Sequence, residues 1–451
     1  MKTLHADRAL LPDGWAADAE IGIGPDGRIA HVRPGAPCGA ASERVSLLLP
    51  GFPNLHSHAF QRALAGRTER AGRGPDTFWT WRERMYELAQ AVTPPQLTAI
   101  ATALYVEMLK AGYTAVCEFH YLHHGPGGER HAEPAAMSHA LIEAAAAAGI
   151  RLTLLPTLYL HGGFGSKPPE ARQSRFTCTP EEYLALVDGL SRHENATLRI
   201  GVAFHSLRAV DPQSMGRVLA HRARVAPGRP VHIHVAEQPG EVQQCEAWSG
   251  RRPVEWLLEN GLPDARWCLV HATHMTPVET QALAATGAVV ALCPTTEANL
   301  GDGLFPLAAF LDAGGRIGIG SDSHVSVSPV EELRWLEYGQ RLLHGRRNVA
   351  ATAEEPHTGA RLVRAVLAGG REALGQPAGR IAAGDCADLV ALDAAHPLLA
   401  GGDGDELLDR FVFAGNQPLV QSVMVAGRWV VRDGQHVGSH CGRHASADPP
   451  A

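Results

Sequence analysis

His56 and His58 lie two residues apart in the stretch Leu48–His58, LLPGFPNLHSH. On an extended segment, residues i and i+2 point to the same side. Two imidazoles aimed at one point are placed as two ligands of a single metal ion must be. A lone His-x-His is as readily a surface pair, so further ligands must come from elsewhere in the chain.

Candidates recur at the ends of apolar runs. VHIHVAE carries His232, His234 and Glu237, CLVHATH carries His271 and His274, and IGIGSDSH carries Asp322 and His324. His205 closes another such run. Three histidines and one carboxylate suit zinc or ferrous iron. His56, His58, one of His232 and His234, and Asp322 make that set. His234 is preferred as nearer the strand end, but His232 shares its face and periodicity leaves both open. Glu237, three residues beyond His234, is placed to move protons rather than to bind, and His271 is a second acid–base candidate. His274 and His324 are expected behind the ligands or on the rim. His120, His123 and His124 end another run, where a structural role is at least as good a reading. The chain holds only Lys2, Lys110 and Lys167, none at the end of a strand-like run. A two-metal centre bridged by a modified lysine has no lysine to use, so one metal is expected.

Groups at matching ends of several strands imply a scaffold that brings those ends together. Strand-like runs occur at Ser46–His58, Thr114–His124, Arg151–Leu160, Leu198–Leu207, Val231–Glu237, Trp267–His274, Ala288–Asn299 and Arg316–His324. Several are continuously apolar, as strands covered on both faces are. Between them lie helical stretches at Gln96–Ala111, Ala135–Ala148, Pro180–Leu190, Pro212–Ala226, Val254–Glu259, Pro277–Ala285 and Pro329–Leu343, many opened by Pro or closed by Gly. Eight β-then-α units predict an α/β fold, a (β/α)8 TIM-like barrel over 48–374, whose working groups sit at the C-terminal strand ends. Residues 1–47 read as short strands and turns too few to bury a face alone. Strand texture returns at Asp388–Leu392, Phe411–Phe413 and Gln421–Val431, with a turn at Ala426–Gly427–Arg428. A small β-sandwich domain built from 1–47 and 375–437 is therefore expected, followed by a disordered tail over 438–451.

At 451 residues, 45% hydrophobic, the chain can bury a large core. Its net charge of -7 leaves no footprint for nucleic acid or an anionic membrane. No secretory leader and no membrane span is evident, so the cytoplasm is the default compartment. The eight cysteines are scattered without a C-x-x-C and read as reduced thiols.

PGFPNLHSH, HVAE at 234–237, His271 in LVHATH and SDSH at 321–324 together resemble the amidohydrolase superfamily, in particular its one-metal deaminase branch. NLHSHAFQRALAGRTER, FWTWRERMY, CEFHYLHH, FHSLRAV and SDSHVSVSPVEELRWLEY are similar, more narrowly, to the formimidoylglutamate deiminase family. That resemblance implies a metal held by His56, His58, His234 and Asp322, with Glu237, His271 and Asp322 catalytic. It implies that Gln61, Arg82, Tyr121, His205 and Arg208 hold a small dicarboxylate, N-formimino-L-glutamate, whose hydrolysis gives N-formyl-L-glutamate and ammonia in histidine breakdown. It further implies one divalent ion, Zn2+ or else Fe2+, and a homodimer. Guanidinium forks do match carboxylates, though among 37 arginines any one is commonly a surface residue. Two rivals stand beside this reading. One is a one-metal deaminase or hydrolase of a flat heterocycle such as guanine. The other is a metal-binding scaffold without activity, against which a retained proton shuttle argues.

Overall fold

The computed structural model describes residues 1–438 except 41 and 73; the expected tail over 438–451 lies, but for Gly438, outside the described residues. Eight parallel strands form the central sheet: β1 (Phe52–Ser57), β2 (Tyr113–His120), β3 (Arg151–Leu158), β4 (Leu198–Ile200 with Val202–Phe204), β5 (Val231–Val235), β6 (Trp267–His271), β7 (Val289–Leu292) and β8 (Arg316–Ile319). Every residue of β1, β2, β3, β5, β6 and β7 is buried. Helices cover the outer face and side chains fill the inner one, hence the unbroken apolar runs.

The ends β1 and β8 meet just beyond their last paired residues. Ser57 bridges Asp322 in parallel fashion. His58 N–H donates to the Asp322 carbonyl at 3.1 Å, and Asp322 N–H donates to the His56 carbonyl at 3.0 Å. Gly320 permits this approach, since a Cβ there would lie 2.7 Å from His56 Cβ and 2.8 Å from its amide nitrogen. The seam of the barrel thus runs through three of the expected ligands.

Local signals start the helices. Thr93, Thr179, Asp211, Thr276 and Ser328 each accept a backbone N–H at N3, and each is followed by Pro in the first turn. These caps satisfy donors that the helix cannot, which fixes where each strand-to-helix loop ends.

Lys2–Leu11, Gly14–Ile23, Ile29–Arg33, Glu43–Pro50, Leu389–Leu392, Val420–Val425, Arg428–Arg432 and Gln435–His436 form a second sheet from both chain ends. It is antiparallel except where Lys2–Leu11 meets Glu43–Pro50. Its strands divide their residues by alternation. Leu4, Ala6, Ile21, Leu48, Leu389 and Met424 share one small core. Leu47, Leu49, Val390 and Val423 join the barrel core. The expected turn at 426–428 is a two-residue hairpin with positive φ at Ala426 and Gly427, the hand that suits twisted strands.

Three strand readings change. Ser46–His58 is two strands: Glu43–Pro50 pairs in the terminal sheet and only β1 enters the barrel, with Gly51 between them. The terminal sheet therefore reaches past residue 47. Ala288–Asn299 is strand only to Leu292, because Pro294 opens a helix over Pro294–Leu300. Phe411–Phe413 ends the helix Glu406–Phe413, where Leu407, Leu408, Phe411 and Val412 are buried at helical spacing.

Candidate active site

Alternation along β1 turns His56 and His58 to one side and Ser57 to the other. The His56 and His58 Nε2 atoms are 3.1 Å apart, and His234 Nε2 is 2.9 Å from His56 Nε2. Asp322 Oδ1 lies 3.4 Å from both His56 Nε2 and His58 Nε2. All four side chains are buried. His58 Nδ1 lies 2.8 Å from the Phe119 carbonyl and His234 Nδ1 2.9 Å from the His205 carbonyl. A carbonyl only accepts, so each ring carries its proton on Nδ1 and turns an Nε2 lone pair inward. Burial pushes His56, His58 and His234 below the usual imidazole range, which is the neutral, ligating form. Converging lone pairs and a carboxylate repel one another unless a cation lies between them. Four donors at about 2.0–2.2 Å from one tetrahedral ion are separated by roughly 3.3–3.5 Å. The observed separations come close to that, so the donor set fits one divalent metal.

Glu237 follows β5, and His271 ends β6. His271 Nε2 lies 3.7 Å from Glu237 Oε1 and 3.9 Å from Asp322 Oδ2. Burial raises the Glu237 carboxyl, with partial relief from His271 and Arg208. Burial opposes charge on His271, but Glu237, Glu297 and Asp322 overcome it and raise the imidazole. Each group thus has reason to hold a proton. A dication at the neighbouring donor set favours the opposite charge state in both. Non-glycine residues with positive φ gather at these strand ends, at Ala236, His271, Ala272, Asp322 and His324. Such backbone is costly and is held by its surroundings. Glu241, buried on the helix Pro239–Ser249, does this for one loop by accepting the N–H of Ala236 and of Glu237, each at 3.2 Å.

A cleft opens over the cluster, lined in part by Gln61, Arg82, Tyr121, His205, Arg208 and Glu237. Gln61 donates to the Tyr121 hydroxyl at 2.9 Å, while its own buried Oε1 has no partner. Tyr121 packs edge-on against His58, with ring centres 5.0 Å apart. His205 lies against Tyr159 at 4.5 Å and His234 at 5.2 Å. The Arg82 guanidinium lies over Trp79, 4.5 Å from its centre, and 5.5 Å from that of Tyr86. The Nε atoms of Arg82 and Arg208 are buried without a hydrogen-bond partner. Gln173 donates to the Tyr159 hydroxyl at 2.8 Å and to that of Tyr86 at 3.4 Å.

The other histidines lie apart from the cluster. His232 is one pleat deeper than His234 and donates Nε2–H to the Ala373 carbonyl at 2.9 Å, whereas His234 converges with His56 and His58. His274 bonds the Asp302 carbonyl, and His123 and His124 bond the carbonyls of Thr157 and Thr177, each at 2.8 Å. His324 sits behind the ligands, against Ser57 and Ser321. Sequence reading missed Glu297, whose Oε1 lies 3.2 Å from His271 Nδ1 and 2.9 Å from the Cys293 amide. The signal was Pro294: a helix beginning there puts Glu297 in its first turn, at the rim where β7 ends.

A parallel eight-stranded barrel with three imidazoles, a carboxylate and an acid–base pair at one rim defines a metal-dependent hydrolase architecture. The chain belongs to the amidohydrolase family, whose model matches residues 47–430. Residues 1–46 match the N-terminal domain of the formimidoylglutamate deiminase HutF. The chain is 55% identical to the formimidoylglutamate deiminase of Pseudomonas aeruginosa over 97% of its length and 96% of the relative's. It is 31% identical to a 5-methylthioadenosine/S-adenosylhomocysteine deaminase of Natronomonas pharaonis, covering 86% and 82% of the two chains. Among solved structures, an amidohydrolase from Brucella melitensis superposes with a TM-score of 0.91 at 46% identity, covering 97% of this chain and 96% of that one.

Proposed function

We propose that this enzyme hydrolyses N-formimino-L-glutamate to N-formyl-L-glutamate and ammonia, as a step of histidine degradation. The observation that carries the reading is the pair Arg82 and Arg208. Both line the cleft above the donor cluster, and the buried Nε of each has no hydrogen-bond partner. A guanidinium held in a cleft with a buried, unsatisfied donor is prepared for an anionic ligand, and this substrate carries two carboxylates; Glu241 and Glu237 act on Arg208 only through their charge. The relative from Pseudomonas aeruginosa, named for this activity, supports the same assignment.

In this reading His56, His58, His234 and Asp322 hold one divalent ion, with Zn2+ favoured by three imidazoles and one carboxylate. The ion supplies, when bound, the polarisation that makes water a nucleophile near neutral pH. Hydrolysis moves both protons of the attacking water to the leaving nitrogen, and Asp322 and His271 receive or steady the first as the water attacks the formimino carbon. Glu237 carries a proton to the formimino nitrogen, which leaves as ammonia because an amine departs readily only when protonated. Gln61, Tyr121 and His205 orient the substrate beside the ligands, and Arg82 and Arg208 grip its carboxylates. Cytoplasmic location is supported by free cysteines, six of them buried, and no described helix is long and apolar enough to cross a membrane. A homodimer is supported by the exposed Trp335, Tyr338, Leu342 and Leu343 on one helix, Pro329–His344.

Ammonia release from purified protein and N-formimino-L-glutamate tests the proposal. Turnover of that substrate is expected. No release from it, with release from guanine or 5-methylthioadenosine, would transfer the assignment to a heterocycle deaminase.

A further inference from the structure

β1 and the loop after β8 carry buried polar residues, beside and beneath the inward-facing donors, with no place in the reaction above. Ser57 lies between His56 and His58. Asn54 lies two residues before His56, and Ser321 and His324 flank Asp322. All are buried, as are Glu118 on β2 and Tyr105 on the helix Pro94–Ala111. A buried polar group is costly unless paired, so their pairing needs an account.

The partners fix a single direction. Glu118 receives three donors: the Ser57 hydroxyl at 2.5 Å and the Tyr105 hydroxyl at 3.1 Å on Oε2, and the Ala59 N–H at 2.7 Å on Oε1. Ser57, having donated, accepts from His324 Nε2 at 3.1 Å. His324 Nδ1 is then left to accept from the Ser321 hydroxyl at 2.9 Å. Ser321 in turn accepts from the Asn54 amide at 2.6 Å, and Asn54 Oδ1 accepts the N–H of His56 at 3.3 Å and of Ser321 at 3.2 Å. The Ser57 and Ser321 hydroxyls each donate once and accept once, and the chain ends on the Glu118 carboxylate. It crosses the β1–β8 seam, where, among the described residues, strand pairing joins β1 to the loop after β8 only through Ser57 and Asp322.

We propose that Glu118 is a positioning residue whose carboxylate anchors the chain Asn54–Ser321–His324–Ser57 and so holds His56, His58 and Asp322 at metal-binding separation. The assignment rests on the proposed metal site. Glu118→Gln cannot be accommodated quietly. If its amide nitrogen faces Ser57, two donors meet there and the direction of the chain is lost. If it faces Ala59, it meets that backbone N–H. Groups that orient metal ligands are worth roughly 10–100-fold in metal affinity.

Metal-stripped protein titrated with Zn2+ against a chelating indicator, and reconstituted with Co2+ for its visible spectrum, provides the test. Glu118→Gln and Ser57→Ala should each weaken Zn2+ binding about 10–100-fold and alter the Co2+ spectrum. The double variant should be scarcely worse than the weaker single one, because both break one chain. Thermal unfolding of the stripped variants separates a lost site from a lost fold. If Glu118→Gln does not fold, Ser57→Ala and Tyr105→Phe carry the test, with the smaller loss expected for Tyr105→Phe. Wild-type affinity and spectrum in the folded variants would overturn the inference, as would losses that simply multiply in the double variant. Failure of the wild type itself to take up Zn2+ would overturn the metal site instead.

Discussion

Glu237 Oε1 lies 3.7 Å from His271 Nε2, at the rim shared by β5 and β6 and beside Asp322. With a dication at the donor set, which favours the deprotonated form of both groups, the pair can take up a proton and pass one on. Glu237→Gln should therefore retain metal and fold but lose turnover by about 10²–10⁴-fold, since an amide cannot carry the proton. A variant keeping a tenth or more of the wild-type kcat would move the shuttle to another group, with His271 first.

Asp322 Oδ1 is equidistant, at 3.4 Å, from two of the three inward-facing imidazoles. Removing its charge leaves neutral donors only. Asp322→Ala should fall well below one metal per chain, and exhaustive chelation of the wild type should abolish activity that added Zn2+ restores. Elemental analysis of the wild type should give one tightly held metal per chain. Two such metals, both needed for activity, would contradict the single-ion site.

Glu297 accepts from His271 Nδ1 at 3.2 Å and holds the imidazole with Nε2 toward Glu237 and Asp322. Glu297→Ala removes that orientation without touching the cleft floor. A loss of kcat by about tenfold or more is expected, with KM for formiminoglutamate little changed. A rise in KM at constant kcat would place Glu297 in substrate binding instead.

Much of this cluster was legible because side chains that converge on one point obey spacing rules. His56 and His58 share a face by strand alternation, and His234, His271 and Asp322 close apolar runs. What was not legible depended on contacts made across the fold. His232 has the same parity as His234 and is distinguished only by the Ala373 carbonyl it meets. Glu297 was hidden inside a run read as strand, because apolar residues before Pro294 look alike in either state. Phe411–Phe413 looked like a strand because three large residues in a row carry no period of their own.

Acid should weaken the metal-free fold. Burial lowers His123 and His232 to about 4 and His324 to about 3, and lowers His56, His58, His120, His205 and His234 as well. Below about 6.5 the unfolded chain binds protons that the folded one refuses, so stability is lost as pH falls from there toward 4. Burial also raises Glu118 to about 7, Asp302 to about 9, and Glu237 and Glu332, and neighbouring carboxylates raise His271 to about 10; these act in the opposite sense over the same window. The lowered histidines are the more numerous, so Tm of the stripped protein should be lower at pH 5 than at pH 7. An equal or higher Tm at pH 5 would show that the raised groups prevail.

The arginines should read charge on the substrate rather than take part in the chemistry. Both carboxylates of formiminoglutamate lie away from the carbon under attack. Their contacts change little between ground and transition states, so they supply mainly uniform binding. Arg82→Met or Arg208→Met should then raise KM far more than it lowers kcat. Losing one partner of a desolvated charge pair costs roughly 2–5 kcal/mol, and about 1.4 kcal/mol is tenfold. A fall of at least about tenfold in kcat/KM is expected. Some loss of kcat accompanies it, because misplacement by about 1 Å slows chemistry. A substrate lacking one carboxylate, such as formiminoglycine or the side-chain amide, should be poor with the wild type. It should also be nearly indifferent to loss of whichever arginine faced the missing group, which is the sharper measurement because a general disturbance of the cleft would slow every substrate alike. If both variants process formiminoglutamate as the wild type does, the guanidiniums of Arg82 and Arg208 are not there for its carboxylates.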